Sequence, residues 1–98
     1  MSKSYDVAVI GGGAIGTAVA FHLTRLGAGR VALFERQQIA GGTTAQSSGL
    51  LRAHYSVPAN MALAQASLEM FEGFQALIGD EEASAGFIRC GYMIVAPE

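Results

Sequence analysis

Three glycines near the amino end have the spacing of a phosphate-binding turn. Gly11, Gly13 and Gly16 form the pattern G-x-G-x-x-G. In this pattern the first glycine permits a tight turn, the second lets a pyrophosphate approach the backbone, and the third lets a helix pack closely on a strand. Free N–H groups at the start of such a helix carry partial positive charge and bind anions. The spacing therefore predicts a site for the paired phosphates of a dinucleotide.

A single acidic residue follows the next apolar run of the chain. Glu35 comes directly after Val31–Phe34, at the distance from the glycines where an acid reaches a ribose hydroxyl in dinucleotide sites. A βαβ unit that binds no ligand is the alternative interpretation. The order of strand, glycines, helix, strand and acid favours a dinucleotide site.

Hydroxyl side chains are concentrated in the segment from Arg36 to Ser48. Gly41 and Gly42 give this segment flexible backbone, and backbone N–H groups with short hydroxyl donors can surround a phosphate-bearing cofactor. An ordinary polar loop with a helix cap has the same composition. Because the segment directly follows the predicted dinucleotide unit, the cofactor interpretation is favoured. The hydroxyls are those of Thr43, Thr44, Ser47 and Ser48.

A cation, an imidazole and a phenol follow shortly afterwards, at Arg52, His54 and Tyr55. An arginine can hold a carboxylate through two parallel hydrogen bonds, so this group of residues could bind an acidic substrate near a cofactor. A surface arginine beside a tyrosine that packs on the domain fits equally well. The residues alone leave both interpretations open.

The apolar pattern predicts the elements that position these residues. Val7–Ile10 is an unbroken apolar run, as in a strand covered on both faces. A helix is predicted from Ala14 to Leu26, and a second strand over Val31–Phe34. Together they predict an α/β fold that begins with a βαβ unit. The apolar repeat of the helix consists of Ile15, Val19, Leu23 and Leu26.

A long amphipathic helix is predicted from Pro58 to Ile78, because apolar residues recur there every three or four positions. Proline is tolerated in the first turn of a helix. Phe87–Arg89 is a candidate short strand, and Tyr92–Val95 is predicted to be an apolar strand. The stripe of the long helix is formed by Met61, Ala64, Leu68, Phe71, Phe74 and Ile78.

The composition is apolar for a small domain. Of 98 residues, 51% are hydrophobic and 14% charged, with a net charge of −2, whereas about a quarter of residues are charged in typical domains. We therefore expect part of the apolar surface to face protein outside this chain. The chain has no basic run of the kind that binds nucleic acids. With one cysteine, it can form no disulfide within the chain and has no zinc-binding cysteine spacing. The run Val7–Ile10 is too short for a signal peptide or a membrane span, so a cytoplasmic location is expected.

Taken together, these motifs resemble those of the FAD-dependent amine oxidoreductases, a family that includes D-amino-acid oxidase, glycine oxidase, sarcosine oxidase and dimethylglycine dehydrogenase. The resemblance rests on the glycine pattern of residues 11–16, on Glu35-Arg36, on Gly-Gly-Thr-Thr-Ala-Gln-Ser-Ser-Gly at residues 41–49, and on Arg52. It implies a Rossmann-like FAD-binding βαβ unit of a doubly wound parallel sheet. Residues 1–57 would belong to the FAD-binding domain, and residues 58–98 would lead into a substrate domain.

The resemblance also implies roles for individual residues. The glycine turn would bind the pyrophosphate of FAD, Glu35 the adenosine ribose, and Arg36 would lie near the adenine. Arg52 would lie near the flavin and the carboxylate of a small amine or amino-acid substrate, with Tyr55 and His54 lining the approach. The full set of expected cofactor-binding residues is Gly11, Gly13, Ala14, Ile15, Gly16, Glu35, Arg36, Thr43, Thr44, Ser47, Ser48, Gly49 and Leu50.

Two departures from the family pattern are visible. Gln46 stands where dimethylglycine-dehydrogenase-like members carry a histidine that bonds to the flavin, so no covalent attachment is expected within these residues. Family members are also several times longer, so we expect this chain to be an N-terminal part that is completed by further sequence or by a partner chain. The resemblance leaves the electron acceptor and the oligomeric state open.

Three other functions fit the same residues. Another FAD-dependent class, such as an aromatic hydroxylase, has the same first βαβ unit, although no C-x-x-x-x-C pair of a disulfide reductase is present. An NAD(P)-binding enzyme is a second alternative, and Glu35 disfavours a 2′-phosphate in that case. A fragment that binds the dinucleotide without turnover is the third.

Overall fold

A computed structural model describes residues 3–98. The chain divides into two units, one ending at Leu50 and one beginning at Leu51, and each is considered by itself. None of the helices in residues 3–98 combines the length and the apolar character needed to cross a membrane.

The first unit is built on two parallel strands and the helix between them. Strand β1 (Val7–Ile10) pairs with β2 (Val31–Phe34), and helix α1 (Ala14–Arg25) connects them. Val7 lies opposite Val31, and Ile10 lies opposite Phe34. Parallel strands need such a crossover connection because the end of one strand and the start of the next lie at opposite ends of the sheet. The predicted order of strand, helix and strand is confirmed.

Helix α1 lies against the sheet with one half-buried side. Gly16, Ala20 and Leu23 lie on its half-buried side, whereas Ile15 and Leu26 are each 82% exposed. The predicted apolar stripe is therefore wrong at these two positions and at Val19, which is 43% exposed, and Leu23 alone of its four residues is half-buried. Gly16 and Ala20 let the helix approach the sheet closely, whereas the side chains of Ile15, Val19 and Leu26 are exposed.

The two strands are only partly covered within the first unit. Ala8 and Ile10 alternate with the half-buried Val7 and Val9, and Ile10 is 81% exposed. A strand covered on both faces was expected, and this unit does not provide that cover. The physical reason is that a single long helix lies on a sheet of two strands, which leaves every second side chain of β1 without a neighbouring layer.

A single helical turn, α2 (Thr43–Gln46), follows β2 and the connecting loop. No helix was predicted over these residues, whose composition indicates a cofactor-binding segment or a polar loop with a helix cap. Gly42 precedes it, and the backbone N–H of Ser47 donates to the carbonyl oxygen of Thr44 at its end.

The second unit contains two consecutive helices, α3 (Pro58–Glu72) and α4 (Phe74–Ile78). One continuous helix was predicted, and the structure breaks it at Gly73. Glycine is among the weakest helix formers, and the N–H of Gly73 closes α3 by donating to the carbonyl oxygen of Glu69 at 2.9 Å. Gly79, with a φ of 78°, ends α4 in the left-handed conformation that glycine adopts easily.

The predicted stripe on these helices is confirmed in its central part. Ala64, Leu68, Phe71 and Phe74 are half-buried, and the ring of Phe71 lies 6.3 Å from that of Phe87, centroid to centroid. The two ends of the predicted stripe are exposed. These are Met61, at 45%, and Ile78, at 38%.

The strands predicted at Phe87–Arg89 and Tyr92–Val95 are not formed. Within residues 3–98, hydrogen-bonded strands are present at β1 and β2 alone. A strand is defined by pairing with a neighbour, and neither segment has a partner in the described part of the chain. Ile88, Met93 and Val95 are all more than four-fifths exposed.

Candidate functional site

The chain turns sharply at Gly11, directly after β1. Its φ is 107°, a value that is strained for any residue with a Cβ atom. Its N–H donates to the carbonyl oxygen of Phe34 at 2.8 Å and extends the ladder between β1 and β2 by one bond. The backbone then enters α1 at the carboxyl ends of both strands, which is where ligands bind in open parallel sheets.

Gly16 lets the first turn of α1 lie against this bend. A Cβ atom at Gly16 would overlap the carbonyl oxygen of Gly11 and would come within 3.7 Å of Val9 Cγ1. The close approach keeps the amino end of the helix beside the end of β1. The first-turn N–H groups of Ile15 and Gly16 have no partner inside the helix by its geometry, so they can donate hydrogen bonds to an anionic ligand.

Glu35 ties the end of β2 to the glycine turn. Its Oε2 accepts the N–H of Gly12 at 2.8 Å, and its Oε1 accepts the N–H of Gln37 at 3.0 Å. The bond from Gly12, then that from Gln37, and to a smaller extent the positive charge of Arg36, hold the pKa of the Glu35 carboxyl below its ordinary value. The carboxylate stays ionised, and each oxygen keeps a lone pair for a further donor.

The side chain of Thr44 contacts the amino end of α1, although Thr44 lies beyond the loop that follows β2. Its Oγ1 accepts the N–H of Ala14 at 2.9 Å, although Gly13, which precedes the helix, provides no side-chain cap. A Cβ atom on Gly13 would stand 3.0 Å from the same oxygen. The hydroxyl hydrogen of Thr44 remains available as a donor at the place where phosphate oxygens are expected.

The other hydroxyl residues of this segment make no hydrogen bond to the glycine turn in the described part of the chain. Ser47 Oγ accepts the N–H of Gly49 at 3.2 Å, which is a local bond. Thr43, Ser48 and Leu50 are exposed. The structure thus brings Gly11–Gly16, Glu35 and Thr44 together. Arg36, next to Glu35 in the chain, is exposed, and Ser47, Ser48, Gly49 and Leu50 lie further along the chain.

Two residues of the connecting loop were missed by the sequence interpretation. Ala40 has a φ of 61°, and its N–H donates to the carbonyl oxygen of Gly12 at 2.8 Å. Ile39 precedes it, and Ile39 Cδ1 lies 2.6 Å from the point where a Cβ on Gly12 would stand. A left-handed alanine has no sequence signature, and the only available signal was the proximity of Gly41 and Gly42.

The candidate substrate residues lie in the second unit. The guanidinium carbon of Arg52 is 4.9 Å from the ring centroid of Tyr55, and His54 meets Tyr92 edge to face with centroids 6.3 Å apart. All four side chains are exposed. A guanidinium stacked on an aromatic face keeps its N–H edge free, so Arg52 remains able to bind a carboxylate in its plane.

Comparison with known proteins gives a family match over almost the whole chain. A family model described as "FAD dependent oxidoreductase" matches residues 6–98. Glycine oxidase of Bacillus licheniformis is 44% identical over 54 residues, which is 55% of this chain and 14% of that protein. Sarcosine oxidase subunit beta of Rhizobium meliloti is 32% identical over 72 residues, covering 72% and 17%.

A third relative matches over a longer part of the chain. FAD-dependent oxidoreductase domain-containing protein 1 of Bos taurus is 35% identical over 101 residues, which is 95% of this chain and 21% of that protein. The matched regions thus cover between 14% and 21% of the length of these three relatives.

Proposed function

This chain belongs to the family of FAD-dependent oxidoreductases, and we propose that its protein oxidises the C–N bond of an amino acid or an N-methylated amine. FAD is the cofactor of this family. The proposed substrate class is supported by relatives named glycine oxidase and sarcosine oxidase. The observation that carries the proposal is the glycine turn, with Glu35 hydrogen-bonded to Gly12 at the carboxyl ends of two parallel strands.

The residues at the turn fit the adenosine diphosphate part of FAD. Gly13 presents a backbone without a side chain beside the amino end of α1, and the φ of Gly11 directs the chain around that point. The N–H groups of Ile15 and Gly16 and the hydroxyl of Thr44 would hold the phosphate oxygens. Glu35 would accept hydrogen bonds from the ribose hydroxyls through its remaining lone pairs.

The second unit supplies the proposed substrate contacts. When bound, FAD would supply the acceptor for the hydride of the substrate carbon next to nitrogen. Arg52 would hold the carboxylate of the substrate and fix its orientation, and the ring of Tyr55 would support the guanidinium from one side. His54, held edge to face against Tyr92, would line the approach.

We also propose that the active enzyme contains more protein than this chain. Ile10 and Phe34, at the ends of the paired strands, are 81% and 55% exposed, and the matched relatives are several times longer. Several relatives are named as a beta subunit of sarcosine oxidase. Further sequence or a partner subunit would cover these apolar side chains.

Flavin reduction in the protein at its full natural length tests the proposal. Glycine and sarcosine, added without oxygen, should bleach the visible absorbance of the bound flavin, and a neutral amine of similar size should do so only at much higher concentration. Arg52→Ala should raise KM for the carboxylate substrates by about tenfold to a hundredfold, because a charge-assisted pair is lost. The KM for the neutral amine should not change.

Arg89→Ala is the matched control, because Arg89 is an exposed arginine of the same unit that pairs with Glu72. It should leave both KM values unchanged. If Arg52→Ala changed KM equally for substrates with and without a carboxylate, the proposed role of Arg52 in binding the carboxylate would be rejected. If the protein binds FAD but no amine bleaches the flavin absorbance, the result would instead support another FAD-dependent class, such as a hydroxylase, or a nucleotide-binding chain without turnover.

A further inference from the structure

The apolar side chain of Ile39 lies at the glycine turn, on the same side as the acid. Ile39 is 53% exposed. A Cβ on Gly12 would stand 2.6 Å from Ile39 Cδ1 and 3.1 Å from Glu35 Cβ. Ile39 and Glu35 therefore both border Gly12, one with an apolar surface and one with a carboxylate.

The backbone around Ile39 is fixed by hydrogen bonds to its surroundings. The N–H of Ala40 donates to the carbonyl oxygen of Gly12 at 2.8 Å, and the N–H of Gly41 donates to that of Gln38 at 2.9 Å. Ala40 has a φ of 61°, which a residue with a side chain adopts only where neighbouring contacts hold it there. The left-handed turn keeps Ile39 against the glycine turn.

The neighbours of Ile39 along the loop make its position unusual. Arg36, Gln37 and Gln38 are polar and exposed, as expected for a surface loop. Ile39 is the apolar exception, and it is the residue that borders Gly12. Binding sites for flat organic groups are lined mainly by apolar side chains, with a few polar groups that fix orientation.

We propose that Ile39 contacts the adenosine half of FAD and forms an apolar wall for the ribose and the adenine ring. This inference rests on the proposed function and adds a residue to its cofactor site. Glu35 orients the ribose through its hydroxyls, and the apolar side chain beside it is covered when the nucleoside binds. Covering the side chain removes apolar surface from water, which favours the bound state.

The test measures binding of FAD and of ADP to the protein at its full natural length. Flavin fluorescence gives the dissociation constant of FAD, and competition gives that of ADP, which carries the adenosine half alone. Ile39→Ala should weaken both ligands by a similar factor of about tenfold, because the lost surface faces the part that they share. Ile39→Leu, which keeps the apolar volume, should bind both ligands nearly as well as the wild type.

Ile88→Ala is the matched control, since Ile88 is an exposed isoleucine of the second unit. It should change neither constant. Unchanged binding of both ligands to Ile39→Ala, or weaker binding of FAD with unchanged binding of ADP, would overturn the inference. A wild-type protein that binds no FAD would contradict the proposed function itself, so the two failures are distinguishable. Circular dichroism of each variant verifies that it is folded. If Ile39→Ala is not folded, Ile39→Val replaces it, and a smaller loss of affinity for both ligands is expected.

Discussion

At the scale of single residues, Glu35 links the proposed cofactor site to the fold. The sequence predicts that Glu35 binds the ribose, because its distance from the glycines matches that of ribose-binding acids. The bonds from Gly12 and Gln37 to its two oxygens could not be predicted. They depend on how the chain bends after β2, and Gln37 has no feature that marks its N–H as a donor.

The lowered pKa of Glu35 gives the site a defined pH dependence. Because the carboxylate is favoured in the folded protein, its stabilising bonds are fully present above the ordinary pKa of a glutamate and are lost as the pH falls through the lowered pKa. We expect the affinity for FAD to stay constant from neutral pH down through the usual carboxyl range and to fall only below it. Titration of the FAD dissociation constant against pH measures this.

Glu35→Gln should remove that acid limb and weaken FAD binding at neutral pH. A glutamine has one carbonyl oxygen, so its NH₂ group would face one of the two N–H donors that Glu35 accepts. Glu81→Gln, at an exposed position of the second unit, serves as the control. An unchanged acid limb in Glu35→Gln would show that another group controls the pH dependence.

At the scale of elements, the βαβ unit was predictable and the second unit was predictable only in part. The runs Val7–Ile10 and Val31–Phe34 and the glycines between them define β1, α1 and β2, because local apolar pattern and turn chemistry agree there. The break at Gly73 was missed because the apolar spacing continues across it. Tyr92–Val95 has the pattern of a strand, but pairing is a tertiary property that a pattern does not supply.

The closeness of α1 to β1 gives a prediction for this element. Gly16→Ala would push a methyl group into the carbonyl oxygen of Gly11. The backbone fixes the positions of both the Cβ and this oxygen, so neither can turn away. We expect a loss of about 1–3 kcal/mol in the free energy of unfolding, as for other overpacked sites, and weaker FAD retention. Denaturant unfolding of the protein at its full natural length measures the loss.

Gly73→Ala is the control for this prediction. Its φ is −98°, and the new Cβ would lie 3.4 Å from the carbonyl oxygen of Glu69, so an alanine fits there and favours helix. It should be neutral or stabilising, by about 0.4–1 kcal/mol. A Gly16→Ala variant as stable as the wild type would mean that α1 and β1 do not lie as close as described.

At the scale of the whole molecule, the apolar composition and the exposed side chains agree. The chain is 51% hydrophobic, and within the described residues no apolar side chain is fully buried. Composition predicted that this surface faces other protein, since a small domain with few charges cannot cover it. Which residues carry that surface, Ile10, Phe34 and Ile15 among them, was visible only once the strands and helix were in place.

The central claim is that the diphosphate of FAD lies against the amino end of α1. A density map of the protein at its full natural length with FAD bound tests it most directly. We predict phosphate oxygens within hydrogen-bond distance of the first-turn N–H groups of Ile15 and Gly16, with a ribose hydroxyl on Glu35. A diphosphate bound elsewhere, with the turn at Gly11–Gly16 filled by side chains, would contradict the account.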